Sequence, residues 1–379
     1  MTQPPLRAYL SALHPRSSEL NALNSLKQPE RRKIIALVKS EGNLADTFDN
    51  ISRILTTNHQ VCLCVDLGDI VNSQLVTGIR NQLSTHPMPA DCGICVPLDT
   101  QPRDFNSIVS ALNPSFTAIR IQLDNRQVPH ALQQNLKALK AQAEEQEKSI
   151  SLILDLGYIH GHDDEADTGS SCANEADVQI TISLCAKLLS ILTAGNLIGE
   201  FYQIFILGGS FPRQITFVPD TVQNPPVGRI QSTAMAFHFR REYTIWKQVR
   251  NQYSTVLYGD YSVFHPKLSL NPYGRPSPNI RYAQDDRWIL LRGKSTKTYH
   301  PGTGFYTLSN QLISSGITDA PTFSEGDKQY AEAAKFDNPS AVQAKKPPHS
   351  TGGGSKWLEW SSSHHLAYVV RQLSNSSVI

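Results

Sequence analysis

Ile150-Ser-Leu-Ile-Leu-Asp-Leu156, followed by the longer apolar run from Ala176 to Leu192, is the unit from which the rest of the chain is read. Seven residues of mostly aliphatic type make a strand, and the run after them has the length of a helix. Val61-Cys-Leu-Cys-Val-Asp-Leu67 has the same form, ahead of a helical stretch from Val71 to Leu83. Each strand stays apolar until a single aspartate near its C-terminal end.

The same alternation extends in both directions. Tyr9 to Leu13 precedes a helix around Ser17 to Leu26, and Ile34 to Lys39 precedes Leu44 to Leu55. Gly93 to Leu98 leads into Phe105 to Leu112, and Phe116 to Leu123 into His130 to Lys148. Gln203 to Leu207 leads into a helix expected over Ala234 to Val249, and Val256 to Tyr258 opens an eighth strand. Further helices are expected at Tyr306 to Ser314 and Leu366 to Leu373. Eight strand–helix units predict a (β/α)8, TIM-barrel-like single domain over residues 1–379, with an open doubly wound α/β sheet as the alternative. Residues 267–305 read as an inserted loop after the eighth strand. Residues 318–355, with Lys-Lys-Pro-Pro-His and Thr-Gly-Gly-Gly-Ser, read as a flexible insert, and 356–379 as a C-terminal docking helix segment.

In a parallel barrel one side-chain parity packs on the helices and the other enters the lumen. That places Cys62, Cys64 and Asp66 inside, with Ile153 and Asp155 on one further strand and Ala118, Arg120 and Gln122 on another. Lys39, Asp260 and His14 are expected at the ends of the second, eighth and first strands. A charge in a lumen costs several kcal/mol unless paired or wet, so Asp66, Asp155 and Asp260 are expected to be balanced by Lys39 and Arg120. Active sites of such barrels gather at the C-terminal strand ends, where these groups lie.

The chain has 35 Lys and Arg against 33 Asp and Glu, a formal net charge of +2 that argues against extended nucleic-acid binding. Its distribution is uneven: residues 127–182 are acidic, and Arg240 to Lys297 is basic. Such a field would steer an anionic ligand. Six cysteines, including Cys92-Gly-Ile-Cys95 without a second CxxC, read as reduced core residues. With no signal-like N-terminus and no apolar run of membrane-spanning length, the expected home is the cytoplasm, without membrane contact.

Three segments carry the chemistry. Leu207-Gly-Gly-Ser-Phe-Pro212 follows the seventh strand, where Gly209 and Ser210 could cradle phosphate through backbone N–H groups. His160-Gly-His-Asp-Asp-Glu165 has residue types compatible with a divalent metal, although no complete ligand set is legible. Tyr258-Gly-Asp-Tyr-Ser-Val-Phe-His-Pro266 and Asn279 to Lys294 are dense in Asp, Tyr, His and Arg. Here Asp260 and His265, with Asp155 and Asp66, are the acid–base candidates. Arg120, Arg241, Tyr261, Asn279, Arg281, Tyr282 and Arg292 are the ligand-binding candidates.

Taken together, Glu19 with Ala22, Leu23 and Leu26, Leu154-Asp-Leu156, Gly208-Gly-Ser-Phe-Pro212, Arg241-Glu242 with Trp246, Gly259-Asp-Tyr261, His265-Pro266, Asn279-Ile-Arg-Tyr282, Trp288, Arg292-Gly293 and Trp357 with His364-His365 resemble the phage and bacterial "beta family" proteins over nearly the whole chain. His14 stands where that pattern has Lys, and Lys39 where it has Glu. The resemblance implies a barrel-like domain, a phage, prophage or defence setting, and a docked final helix that brings His364 and His365 toward Asp260 and His265. It implies no particular reaction. The resulting expectation is a mouth that binds an anionic, phosphate-bearing small molecule or nucleic-acid end, with phosphodiester or nucleotide hydrolysis as the reaction class. The alternative is a non-catalytic interaction or sensor subunit with a protein partner from the same gene neighbourhood.

Overall fold

The computed structural model describes residues 7–14, 16–39, 61–68, 77, 92–123, 126–159, 171–212, 235–266, 277–293, 301–337 and 353–376. Eight parallel strands close into a barrel: β1 (Tyr9–Leu13), β2 (Ile34–Lys39), β3 (Cys62–Asp66), β4 (Cys92–Pro97), β5 (Thr117–Gln122), β6 (Ile150–Tyr158), β7 (Ile204–Gly209) and β9 (Val256–Asp260). Closure is made by β9, which pairs with β7 on one side and β1 on the other. The helices between them include α1 (Ser17–Ser25), α2 (Gln28–Arg31), α3 (Pro102–Leu112), α4 (Leu132–Glu145), α5 (Ser171–Ala194) and α6 (Arg241–Gln252). The helices expected over 44–55 and 71–83 lie outside the described residues, Thr77 excepted.

Strand parity separates two cores. Val61, Leu63, Val65, Leu152, Leu154, Val256 and Tyr258 join the helices in an outer layer. Cys62, Cys64, Cys95, Ala118, Ile153, Phe205 and Leu207 fill the lumen. Five cysteines, Cys62, Cys64, Cys92, Cys95 and Cys185, are buried and unbridged. Gly93 shows why the lumen tolerates a large ring: a Cβ there would sit 2.4 Å from Phe116, so the missing side chain is the space Phe116 occupies.

A second sheet departs from the sequence reading. Met235–Phe239, expected inside a helix, is strand β8; its alternating apolar residues pair antiparallel with β11 (Arg287–Arg292), and the helix begins only at Arg241. The stretch 267–305, expected as a loop, contains the hairpin β10 (Asn279–Gln284) and β11. Its two-residue turn has Asp285 at φ 44°, a left-handed conformation that Asp tolerates and that suits tight hairpins. One face of this sheet, with Ile280, Tyr282, Ile289 and Leu291, packs on α7 (Pro301–Ser314), α8 (Glu325–Ala334) and α9 (Gly354–Asn375). Helix α8 lies within residues 318–355, expected as an insert without structure of its own. The opposite face places Ala283, Trp288 and Leu290 on Phe211, Val263 and Phe264, which follow β7 and β9. The sheet therefore leans over one side of the barrel's C-terminal mouth.

Helix α9 is more than an appended tail. Its Leu366, Ala367, Val369, Val370 and Leu373 enter the outer barrel core with Tyr9, Leu20 and Leu23. It covers the wall where β9 meets β1. Helix α5 corrects another expectation: Glu175–Ala194, 20 residues with an 18-residue window of mean hydropathy 1.4, is long and apolar enough to cross a membrane by length and composition. Here Val178, Leu184, Cys185, Leu188, Leu189 and Leu192 are buried in the outer core, which accounts for part of that composition, 33% of the window being buried.

Candidate functional site

The C-terminal ends of β2, β3, β5 and β6 bring together the polar groups of the lumen. Arg120 Nη1 lies 3.3 Å from Asp66 Oδ2 and 3.4 Å from Asp155 Oδ2, with all three side chains buried. Tyr261, immediately after β9, donates its hydroxyl to Asp155 at 2.7 and 2.8 Å. The N–H groups of Gly68 and Gly157 donate to Asp66 and Asp155 at 3.1 and 2.9 Å. Lys39, half-buried and in register with Asp66, places Nζ 4.7 Å from the Tyr261 ring centroid. Each carboxylate thus ends an apolar strand and is fixed by a backbone donor two residues on.

Burial sets the electrostatics. It pushes the Asp66 pKa up, opposed by Arg120, the Gly68 N–H and Lys39, while Asp155 adds to the rise. Burial works against the charge on Arg120, but Asp66 and Asp155 more than offset it and hold the guanidinium above its ordinary range. Burial and the Asp155 charge push the Tyr261 hydroxyl well up, so it is a neutral donor. The cluster therefore combines a guanidinium held in place with two carboxyl groups, of which Asp66 has raised proton affinity. Such a set can orient a polar ligand and exchange a proton with it.

The predicted balance holds for Asp66, Asp155, Arg120 and Lys39 and fails for Asp260. Val256 and Tyr258 face outward, and Asp260 shares their parity. It lies in the wall between barrel and α9, accepting from Tyr9 and from Tyr258 at 3.0 Å, from the Ser262 N–H at 2.9 Å and from His365 Nε2 at 2.9 Å. Arg240 Nη2 is 3.9 Å away and also donates to Tyr258 at 3.1 Å. Burial drives the His365 pKa down, with Arg240 and His364 pulling the same way against Asp260. The imidazole is therefore neutral near pH 7 and donates a hydrogen bond, while Arg240 supplies the counter-charge. Although burial alone would raise it, these partners hold the Asp260 carboxyl below its usual range.

The glycine turn after β7 is occupied by the protein itself. Glu242, at the start of α6, accepts from the Ser210 N–H at 3.1 Å and from the Ser210 hydroxyl, which in turn accepts from the Arg241 N–H at 3.2 Å. A Cβ on Gly209 would meet Pro266 at 2.9 Å. The expected phosphate cradle of Gly209 and Ser210 thus holds an internal carboxylate. Neither Glu242 nor Arg240 is among the site candidates read from the sequence; the contact of Glu242 with the turn is tertiary.

Other candidates separate in the same way. His364 bridges Asp327 and the Ala283 carbonyl at 2.9 and 2.8 Å and stacks on Tyr282 at 3.6 Å, while Tyr282 donates to Asp327 at 2.8 Å. These residues bind α9, α8 and the second sheet together, with His364 taken up by Asp327 and His365 by Asp260. His265 instead packs on Tyr158 at 4.2 Å between ring centroids, at the ends of β6 and β9. Asn279 accepts from Arg281 Nε at 3.2 Å, and its register partner Arg292 is half-buried at the end of β11. His160 to Glu165 lie outside the described residues. Among the described residues no group of three or more His, Cys, Asp or Glu is placed to hold a metal ion. Between Asp66 and Asp155 it is Arg120 that takes the position of a bridging cation.

No curated protein sequence matches the chain. Among solved structures, it is similar to a type I 3-dehydroquinate dehydratase from Clostridium difficile at 9% identity, covering 71% of this chain and 90% of that one with a TM-score of 0.37. A psychrophilic glycoside hydrolase family 10 endo-β-1,4-xylanase matches at 9% identity, covering 68% and 86% with a TM-score of 0.32. Likeness at that level carries no argument about chemistry. The Beta protein family matches residues 9–371, nearly the whole chain, and this protein belongs to that family.

Proposed function

We propose that the barrel binds a small, polar, anionic ligand at its C-terminal mouth, within the phage or defence setting that the family resemblance implies. The observation that supports this is the Asp66–Arg120–Asp155–Tyr261 cluster, built from separate strands and lying where barrels of this class place their chemistry. If turnover follows, hydrolysis of a phosphodiester or nucleotide is the favoured class. Asp66, with its raised proton affinity, would take the proton of the attacking water. Asp66 thereby replaces Asp260, which is enclosed in the wall.

The test is a thermal-shift and phosphate-release screen of nucleotides, short oligonucleotides and divalent metals on the wild type and Asp66→Asn. A dose-dependent rise in Tm is expected with a phosphate-bearing compound, with any turnover lost in Asp66→Asn. No shift with any compound would reject the reading.

A second reading, docking of a protein partner, is favoured by β8. It forms one edge of the second sheet as described, and it exposes Phe237 and Phe239 by 56% and 59% on one face. Phe237→Ser/Phe239→Ser should abolish binding of a co-expressed neighbourhood partner and leave the ligand response intact.

A further inference from the structure

Strand parity places one lysine among the lumen groups without giving it a carboxylate of its own. Ile35 and Leu37 of β2 point into the lumen, so Lys39, two residues on, points the same way at the strand's C-terminal end. Its register partner on β3 is Asp66. Asp66, Arg120 and Asp155 are buried, whereas Lys39 is half-buried, so it stands at the rim above them. Its Nζ lies 4.7 Å from the centroid of the Tyr261 ring, and the Tyr261 hydroxyl reaches Asp155 on β6. In the closed strand order β2 and β6 stand opposite each other. The lysine from one wall and the tyrosine anchored to the other therefore meet over the mouth.

Arg120 and Lys39 are committed differently. The Arg120 guanidinium is shared by Asp66 and Asp155, so it does not by itself offset the charge of an incoming anion. Lys39 acts on Asp66 through space, opposing the upward push of burial. Among the described residues no carboxylate pairs with its Nζ and no acceptor takes a hydrogen bond from it; its contact is the Tyr261 ring. An ammonium has three N–H donors, and a ring face restrains the side chain without using them up as a carboxylate would. The fold thus seats a cation over the mouth with its donors left for a ligand oxygen.

We propose that Lys39 is the anion contact of the mouth: its ammonium, seated on Tyr261, pairs with a phosphate or carboxylate oxygen of the ligand, while Asp66 and Arg120 below it meet the ligand's polar remainder. This rests on the reading of the mouth as a ligand site. It names the residue that selects for negative charge, and assigns the anion to a strand end other than the glycine turn.

Calorimetric titration of the whole protein with inorganic phosphate, and separately with acetate, at low ionic strength tests it. Wild type should bind at least one of the two saturably, and the tighter identifies phosphate or carboxylate as the preferred group. Lys39→Gln should weaken that binding roughly tenfold or more, and Lys39→Arg, which keeps the charge, should weaken it less. Without anion, Lys39→Gln should melt at the wild-type temperature, losing only the anion-dependent rise in Tm. Unchanged affinity in Lys39→Gln, or no binding of either anion by wild type, overturns the assignment. So does a lower Tm without anion joined to an undiminished anion-dependent rise, which would mark Lys39 as structural. Should the assignment fall while a compound from the nucleotide screen still binds in an Asp66-dependent way, the mouth reading stands; if no compound binds either, both fall.

Discussion

Asp260 and His365, 105 residues apart, share a 2.9 Å hydrogen bond on the outside of the barrel wall, where β9 meets the C-terminal helix. This contact explains why a chain with eight strand–helix units keeps its last helix so far from its last barrel strand. The described residues between them include β10, β11, α7 and α8, and the chain then returns to close the wall with α9. Trp288 of the second sheet stacks on His365 at 4.7 Å, so barrel, sheet and helix meet at one imidazole.

Removing either partner should therefore act on stability. Asp260→Ala leaves Arg240 buried with Glu242, 3.7 Å away, as its remaining ion-pair partner among the described residues, and such changes cost about 3–5 kcal/mol. His365→Phe keeps the stacking but removes a donor from a buried carboxylate, costing about 1–3 kcal/mol. Urea denaturation reads both, and an unchanged midpoint for Asp260→Ala would show that the wall network contributes nothing.

Glu242 supplies a pH signature. Burial pushes its pKa up to about 7, against opposition from Arg240 and Ser210. A carboxyl raised in the fold contributes stability that is fully present below its unfolded value near 4.5 and is lost as pH rises through 7. Glu242→Gln removes this dependence. Its stability relative to wild type should improve from pH 5 to pH 8 by up to about 3 kcal/mol. His365 works the other way: its lowered pKa contributes stability present above 6.5 and lost as pH falls, so the comparison must be variant against wild type at each pH. Parallel stability curves for the two proteins would contradict the assignment.

Gly326 marks a close approach of α8 to α9. A Cβ there would lie 2.2 Å from the Trp360 carbonyl oxygen, a backbone atom that cannot rotate away. Gly326→Ala should force the helices apart and cost at least the ~1–3 kcal/mol typical of overpacking, read as a lower urea midpoint. A variant as stable as wild type would mean that α8 moves freely against α9.

How much of this was legible in the sequence depends on parity. Strands such as Val61–Leu67 and Ile150–Leu156 alternate without interruption, so Asp66 and Asp155 could be placed in the lumen by counting. Asp260 failed because Gly259 and the short run before it hid the alternation, although Tyr258 shares its side and is an outer-core residue. Strand β8 failed because Met235–Phe239 runs directly into α6, and its partner β11 is 48 residues further on at Arg287, a non-local pairing that local pattern does not reveal. The internal filling of the Gly-Gly-Ser turn by Glu242 is likewise a tertiary contact, made by a residue whose neighbours read as helix surface.

The floor of the mouth gives the most direct prediction. Arg120 is shared by two buried carboxylates, so Arg120→Met, similar in length and apolar, leaves Asp66 and Asp155 facing each other without their guanidinium. Losing one partner of a buried ion cluster costs about 3–5 kcal/mol when the remaining groups are charged. The sign with pH follows from the carboxylates. Without Arg120 the already raised Asp66 is pushed further up, so its contribution is present in acid and lost as pH rises. The variant should thus be closest to wild type near pH 5 and furthest from it near pH 8. Adding Asp66→Asn to Arg120→Met removes one of the two uncompensated charges and should recover part of the loss at pH 8 but little at pH 5. Equal losses at the two pH values, or no recovery in the double variant, would mean that Arg120 stabilises the barrel by packing alone and that the lumen charges are not coupled.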